Sequence, residues 1–298
     1  KRTAVNTRIQ RYLVKMLFVS SIIPLFSSLL LAASGASFLN LGIGARAQGL
    51  GSAYTAIADY LTALHWNPAG LSQLKKKELG AMHAELFAES RLDFVGYAHP
   101  TKKGTFGLGA VYLSQGNIEG RSPDRTQSTD FTASDLSVTL GASRWISAKT
   151  SLGTNLKLIQ SKIAGYSSTG FALDAGSLYH LTTLPLTLGF AIQNIGPSMK
   201  FMNDSYSLPL TLASGASYRI GNSLTISADL KHQPYDSRTS FSVGTEFSPI
   251  SMISLLAGYL TNAVRATGKP SNSFAAKASD LSGLGLGVGL KLGHSSVD

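Results

Sequence analysis

The chain has 298 residues; 44% are hydrophobic, 14% are charged, 30 are glycine and none is cysteine. Soluble domains carry about a quarter charged residues and about 7% glycine, so this composition excludes a disordered chain. The lack of thiols excludes disulfide scaffolds, Cys-ligated zinc and thiol catalysis. A helical membrane protein does not fit either, since a spanning helix needs roughly 20 apolar residues and one stretch alone approaches that.

The formal net charge of +10 is concentrated at the start of the chain. Residues 1–36 hold Lys1, Arg2, Arg8, Arg11 and Lys15 and no acid. A basic opening, an apolar run over 17–33 and the small residues Ala32, Ala33, Ser34, Gly35 and Ala36 are the parts of an export signal. A spanning anchor is the competing reading, but Pro24 and several serines interrupt the run. Residues 1–36 are therefore expected to be a signal peptide, and the absence of an initiating Met implies a fragment at this end. No basic stripe with interleaved aromatics follows, so no nucleic-acid partner is expected.

Residues 37–74 do not read as a strand. Ala53, Ile57, Leu61 and Leu64 recur at a spacing of three to four, and Asn67-Pro68 ends the run. The segment is rich in Gly and Ala, which predicts short helical turns able to pack tightly against a wall.

From Glu78 onward the pattern has period two, the mark of strands with two different faces. Over 135–143, Leu136, Val138, Leu140 and Ala142 alternate with Asp135, Ser137, Thr139, Gly141 and Ser143. Over 284–293, Leu284, Leu286, Val288, Leu290 and Leu292 alternate with glycines and Lys291. Twelve such segments are predicted, at 78–88, 91–100, 105–115, 133–146, 151–162, 170–181, 185–195, 208–220, 223–232, 239–248, 250–261 and 281–293. Most have the length of a tilted strand crossing a bilayer. Apart from the first hairpin, at 89–90, the links between them read as alternately short (101–104, 147–150, 182–184, 221–222, Pro249) and long (116–132, 163–169, 196–207, 233–238, 262–280). Outer-membrane barrels segregate link lengths in this way, with tight turns in the periplasm, whereas a Greek-key sandwich has no reason to.

The apolar face is expected to meet lipid, where no water satisfies a polar group. The face bearing Asp93, Asp135, Lys157, Asp174, Gln193, Asp229, Lys231, Glu246 and Lys291 is expected to line the lumen. Its many glycines serve curvature, space inside the barrel, or both. The segment 37–74 would fill that space as a plug.

A family resemblance rests on particular residues. The run Ser37-Phe38-Leu39-Asn40-Leu41-Gly42-Ile43-Gly44-Ala45-Arg46-Ala47-Gln48-Gly49-Leu50-Gly51-Ser52-Ala53, followed by Ala58-Asp59 and Trp66-Asn67-Pro68-Ala69-Gly70-Leu71, resembles the opening of mature PorV/PorQ-family outer-membrane proteins. The second block looks like the hatch motif shared with the wider FadL-like barrels. Tyr60 stands where relatives commonly carry a second acid. The resemblance implies an all-β, transmembrane antiparallel outer-membrane barrel of fourteen strands with an N-terminal hatch at 37–74 and the barrel over 75–298. Twelve strands are visible, and residues 295–298 look like the start of a thirteenth, which implies truncation at this end too.

Within the hatch motif Asn67, Pro68, Ala69 and Gly70 form the candidate latch. An Asn side chain offers two donors and an acceptor, and Pro68 fixes the turn by locking φ. Arg46 and Asp59 are expected to pair with each other or with luminal charges. Gly42-x-Gly44-x-x-Ala47 fits the dinucleotide fingerprint formally, but no preceding strand or βαβ unit surrounds it. The six histidines show no metal-helix spacing, and no Gly-x-Ser-x-Gly elbow is present. Catalysis, cofactors and metals are accordingly not expected.

Two functions compete. The PorV/PorQ resemblance implies a non-enzymatic accessory of type IX secretion that handles secreted cargo on its outer loops. The alternative is FadL-like uptake, with a hydrophobic small molecule entering the lumen and hatch movement releasing it.

Overall fold

The computed structural model describes residues 34–87, 89–120, 129–261, 264–265, 283–292 and 295–297. Most of the expected signal peptide, the middle of the 116–132 loop and most of 262–280 lie outside the described residues. In chain order the strands are β1 (Glu78–Glu85), β2 (Ser90–Thr101), β3 (Gly104–Ile118), β4 (Phe131–Trp145), β5 (Thr150–Ile163), β6 (Tyr166–His180), β7 (Leu186–Ile195), β8 (Met199–Phe201), β9 (Asp204–Tyr206), β10 (Thr211–Ile220), β11 (Leu224–Gln233), β12 (Arg238–Ile250), β13 (Ile253–Leu260), β14 (Val264–Arg265), β15 (Leu284–Leu292) and β16 (Ser295–Val297).

The long strands pair antiparallel with their neighbours in sequence, β1 through β7, then β10 to β13, β15 and β16. All twelve predicted segments are strands of this sheet. The fold is an antiparallel outer-membrane β-barrel, and the alternation that predicts it sorts the side chains. Leu79, Leu158 and Leu286 are 78%, 60% and 72% exposed on the outer face, joined by Val95, Leu108, Leu140, Phe171, Phe241 and Val288. Such an apolar exterior suits hydrocarbon. The opposite face is buried and polar or small: Ser137, Asn155, Lys157, Asp174, Ser227 and Asp229 all point inward.

Three sequence expectations need correction. Asp93 lies on the outer face, 47% exposed, where its Oδ1 meets His83 Nδ1 at 2.6 Å across the β1–β2 pair. The apolar residues Leu92 and Phe94 take the inward positions beside it. The 163–169 link is a two-residue turn, Ala164 at φ 50° and Gly165 at φ 84°. The polar run Ser167-Ser168-Thr169 that reads as loop is paired with Gln160 to Lys162 instead. Strict alternation of link length therefore fails. The segregation survives, because the longest links, at 119–130, 196–210 and 261–283, all leave one end. At the other end no link exceeds five residues. Lastly, 196–207 is no bare loop but carries the hairpin β8–β9, whose Met199 is buried against β6 at Gly170.

The third element is the segment 34–74. It has two short α-helices, Ala45–Gly49 and Ala63–Trp66, and two 3-10 turns, Ser37–Asn40 and Pro68–Gln73. The apolar spacing at 53–61 does not produce a helix. Ser52 and Ala58 have positive φ, and the N–H groups of Tyr54 and Thr55 are spent on the wall rather than on a helical ladder.

Candidate functional site

The segment lies against the inward face of every long strand. Following the wall round, Leu61 meets β1 and β2 at Gly80 and Gly96, and Leu64 meets β3 and β4 at Gly107 and Gly141. Pro68 lies on Gly153 of β5, Asn67 on Gly176 of β6, and Thr55 on Gly189 of β7 and Gly215 of β10. Tyr54 bonds Asp229 of β11, Leu50 lies on Gly244 of β12 and Gly258 of β13, and Gln48 lies on Gly285 of β15. A segment that touches all twelve neighbours from their common inner side occupies the lumen.

The luminal glycines are the seat of this contact. Gly80 pairs with Gly96, Gly96 with Gly109, Gly107 with Gly141, Gly153 with Gly176, Gly189 with Gly215 and Gly244 with Gly258, so they line up across the strands. A Cβ on Gly153 would stand 2.3 Å from the Pro68 carbonyl carbon, and one on Gly258 2.1 Å from that of Leu50. Backbone meets backbone there, and a side chain leaves no room.

Polar groups fix the register of plug on wall. Asn67 is fully buried; its Nδ2 donates to Thr55 O at 2.9 Å and to Ser177 O of β6 at 3.2 Å. Its Oδ1 accepts from Ala69 N at 3.2 Å, capping the 3-10 turn that Pro68 opens. Ala69 O in turn accepts from Ser151 Oγ of β5 at 3.2 Å. Gly70 packs so closely that a Cβ would lie 1.9 Å from Ala58 O. These bonds join two turns of the segment to β5 and β6.

Arg46 is the second node. Its guanidinium holds Asp59 within the plug and Glu246 of β12, with NH2 donating to Glu246 Oε2 at 2.6 Å and NH1 to the Tyr54 hydroxyl at 3.1 Å. Tyr60, at the position of the absent second acid, lies under the guanidinium with its ring centre 4.8 Å from Cζ. Burial disfavours the Arg46 charge, but Asp59, Tyr54 and Glu246 outweigh it and raise the pKa further above the ordinary value. Burial likewise raises the Tyr54 phenol, so it stays a neutral donor to Asp59 Oδ1 at 3.1 Å.

Several wall residues complete the site, and sequence reasoning gave them no role beyond lining the lumen. Asp229 Oδ2 accepts from both Tyr54 N and Thr55 N, at 2.9 and 2.8 Å. Asn155 donates to Leu64 O at 2.8 Å, and Gln193 donates to Trp66 O at 3.2 Å. Lys231 sits 3.9 Å from the centre of the buried Trp66 ring and donates to Ser52 O at 3.3 Å. Lys157 is held by Asp174 at 2.9 Å and by Asn194 at 2.8 Å. His65 lies in this layer; burial first, then Lys157 and Lys231, push its pKa well below the imidazole value. Their signal in the sequence is polar residue type on an otherwise apolar or glycine-bearing strand.

Toward the long-loop end the lumen turns apolar. Phe38 and Leu39 of the plug are buried with Leu92, Phe94, Leu113 and Ile159 of the wall and with Met199 and Leu208 beyond β7. A cavity of about 20 Å³ between Phe38, Leu39, Leu64, Phe94 and Lys157 is the size of one water molecule. Gly35 N donates to Ser207 O at 2.9 Å, and Ser34 bonds Asp236, so the plug's first residues reach the long-loop end. Toward the short-link end a cavity of about 250 Å³ opens beside Arg46, Asp59, Gln73, His180 and Arg219. No grouping of metal-ligating side chains occurs among the described residues.

A family model described as an uncharacterised protein family (UPF0164) matches residues 32–170, the plug and the wall into β6. No curated protein matches the chain. Among solved structures, the toluene transporter TodX of Pseudomonas putida is 15% identical, with a TM-score of 0.57 over 74% of this chain and 83% of that one. A FadL homologue of Pseudomonas aeruginosa is 10% identical, with a TM-score of 0.58 over 85% and 86%. The monoaromatic hydrocarbon channel CymD is 13% identical, with a TM-score of 0.56 over 80% and 86%. At such identities the likeness is one of fold: this chain has the FadL-like barrel fold. The structures it resembles are channels and transporters, not enzymes. The narrower likeness to PorV/PorQ proteins, and with it a place in type IX secretion, finds no counterpart among them.

Proposed function

We propose that the protein sits in an outer membrane, with its short links in the periplasm, and passes hydrophobic small molecules through its lumen by movement of the plug at 34–74. The observation that carries this reading is the apolar compartment above a polar latch. Phe38, Leu39, Phe94, Leu113, Ile159 and Met199 offer a molecule entering from the long-loop end a dry, apolar surface. Below it, the ring of hydrogen bonds from Asn67, Asn155, Asp229 and Glu246 closes the way. Cavities of about 250 Å³ near His180 and Arg219 and about 820 Å³ along β1 flank the plug, so small shifts of it would widen a route. The solved hydrocarbon channels and the FadL homologue support the reading through their shared fold. A role in handling secreted cargo has no comparable support in the geometry. The test is uptake of labelled toluene and of a labelled sugar by cells whose outer membrane carries this protein. Faster toluene uptake with unchanged sugar uptake is expected; no gain for toluene overturns the proposal.

A further inference from the structure

The two ends of the barrel differ in charge. At the short-link end, Lys75, Lys76 and Lys77 precede β1, Lys102 and Lys103 form the β2–β3 turn, and Arg144 stands near the end of β4. Register brings these three connections together: Glu78 pairs with Ala98, Thr101 with Gly104, and Ser143 with Thr105. The links at this end, 75–77, 101–104, 144–150, 181–185, 219–223 and 248–252, contain no Asp or Glu. The nearby acids are spent inward, Asp59 and Glu246 on Arg46 and Glu78 on Leu61 N. All six cations are exposed, and among the described residues none of their side chains has a hydrogen-bond or ion-pair partner. The opposite end mixes signs, with Glu85, Glu89, Glu119, Asp130, Asp204 and Asp236 among its basic residues.

The height of these cations identifies their counter-charge. Phe106, with Ala142 beside it, is the last outward apolar residue of β3, and it is 55% exposed. Arg144 lies two residues beyond Ala142 and Lys103 three beyond Phe106, which for strands rising about 3.3 Å per residue at a tilt near 40° is roughly 5–8 Å. The headgroup layer adds about 5–7 Å on each side of a hydrocarbon core of about 30 Å. The cations therefore stand at headgroup depth along one arc of the rim, where Lys75, Lys76 and Lys77 also border a cavity of about 820 Å³ between the plug and β1.

We propose that this arc, from the 75–77 linker through the β2–β3 turn to Arg144, is a binding site for the phosphate headgroups of anionic phospholipids in the adjoining leaflet. The linker lysines tie the end of the plug to β1, so lipid bound here is also bound at the plug's attachment to the wall. The proposal rests on the membrane-barrel reading above. Its test is the full chain in phosphatidylcholine vesicles carrying trace spin-labelled phosphatidylglycerol or spin-labelled phosphatidylcholine, with the motionally restricted fraction of each label measured. A Lys or Arg near an anionic surface is worth about fivefold at low salt, so a phosphatidylglycerol preference of at least that size is expected, fading at high salt. The variant Lys75→Gln/Lys76→Gln/Lys77→Gln/Lys102→Gln/Lys103→Gln should lose the preference, and Lys162→Gln/Lys200→Gln at the other end should keep it. Millimolar inorganic phosphate should leave it standing; abolition by phosphate would show a free-anion site and overturn the lipid assignment. Heat-modifiable migration reports insertion independently. A folded barrel with equal restricted fractions refutes this site alone, and a chain that never shows heat-modifiable migration refutes the barrel reading itself.

Discussion

Gly153→Ala should push the plug and the wall in opposite directions. In an empty barrel the change helps, because Ala in a strand is better than Gly by roughly 0.5–1 kcal/mol. With the plug docked, the new Cβ would stand 2.3 Å from Pro68 C and 2.4 Å from Ala69 N. Ordinary contact begins near 3.4 Å, so the overlap is about 1 Å against backbone atoms. Those atoms cannot swing aside, since Asn67 Oδ1 holds Ala69 N and Ser151 holds Ala69 O. Overpacking of this kind costs about 1–3 kcal/mol and shifts the docked balance by about fivefold to a hundredfold, while the strand gain acts on the docked and the empty barrel alike. The assay is protease protection of residues 40–70 in the folded protein, alongside the temperature at which heat-modifiable migration is lost. Protection should fall while that temperature holds or rises. Gly80→Ala is the control, because its Cβ meets only Leu61 Cδ2, at 3.1 Å, the free end of a side chain. Unchanged protection in Gly153→Ala, or a barrel destabilised in step with it, would refute the luminal packing.

Other consequences follow from the same contacts. Asn67→Ala removes one hydrogen bond to the wall, at Ser177 O, and two within the plug; at about 1 kcal/mol for the wall bond, the docking equilibrium should weaken by about fivefold. In a planar bilayer that should appear as intermittent openings from a quiet background, with a steady pore on deletion of 40–70. Glu246→Gln strips the buried Arg46 of one carboxylate and should cost about 3–5 kcal/mol of plug docking, while Arg46→Met/Glu246→Leu should cost less than the two single changes combined. For His65, docking lowers the pKa from an undocked value of about 6.5, so its contribution is complete above that pH and is lost as pH falls toward the docked value. Opening frequency should rise by up to about tenfold per pH unit below 6.5, and His65→Gln should flatten the profile.

Much of this architecture is legible in the residues. Period-two alternation depends on local backbone geometry alone, so Leu284 to Leu290 and Leu136 to Ala142 announce their strands and the face that meets lipid. Asn67-Pro68 and the absence of period two over 37–74 mark a segment that is not wall. What stays hidden is whatever depends on how the whole sheet curves round the plug. Arg46 and Glu246 stand 200 residues apart, and only the registers of the intervening strands bring them together. Asp93 misleads because a polar residue near the end of a strand alternates correctly on either face, and at the rim the outer face is no longer in hydrocarbon. The 53–64 spacing reads as short turns rather than one helix because Ala58 at positive φ interrupts it between the turn at Tyr54–Ala58 and the helix Ala63–Trp66. The serine-rich stretch after Gly165 reads as loop since its composition is polar, yet it is paired with β5 up to Tyr166.

The claim that plug movement opens the route can be tested by locking the plug reversibly. The chain has no native cysteine, so Ser151→Cys/Ala69→Cys introduces a single pair, at a point where Ser151 Oγ now lies 3.2 Å from Ala69 O. Toluene uptake should stop when the pair is oxidised, return on reduction, and remain insensitive to oxidant in either single variant. Uptake that continues at the same rate with the plug cross-linked to the wall would show that hydrophobic molecules do not pass by displacing it.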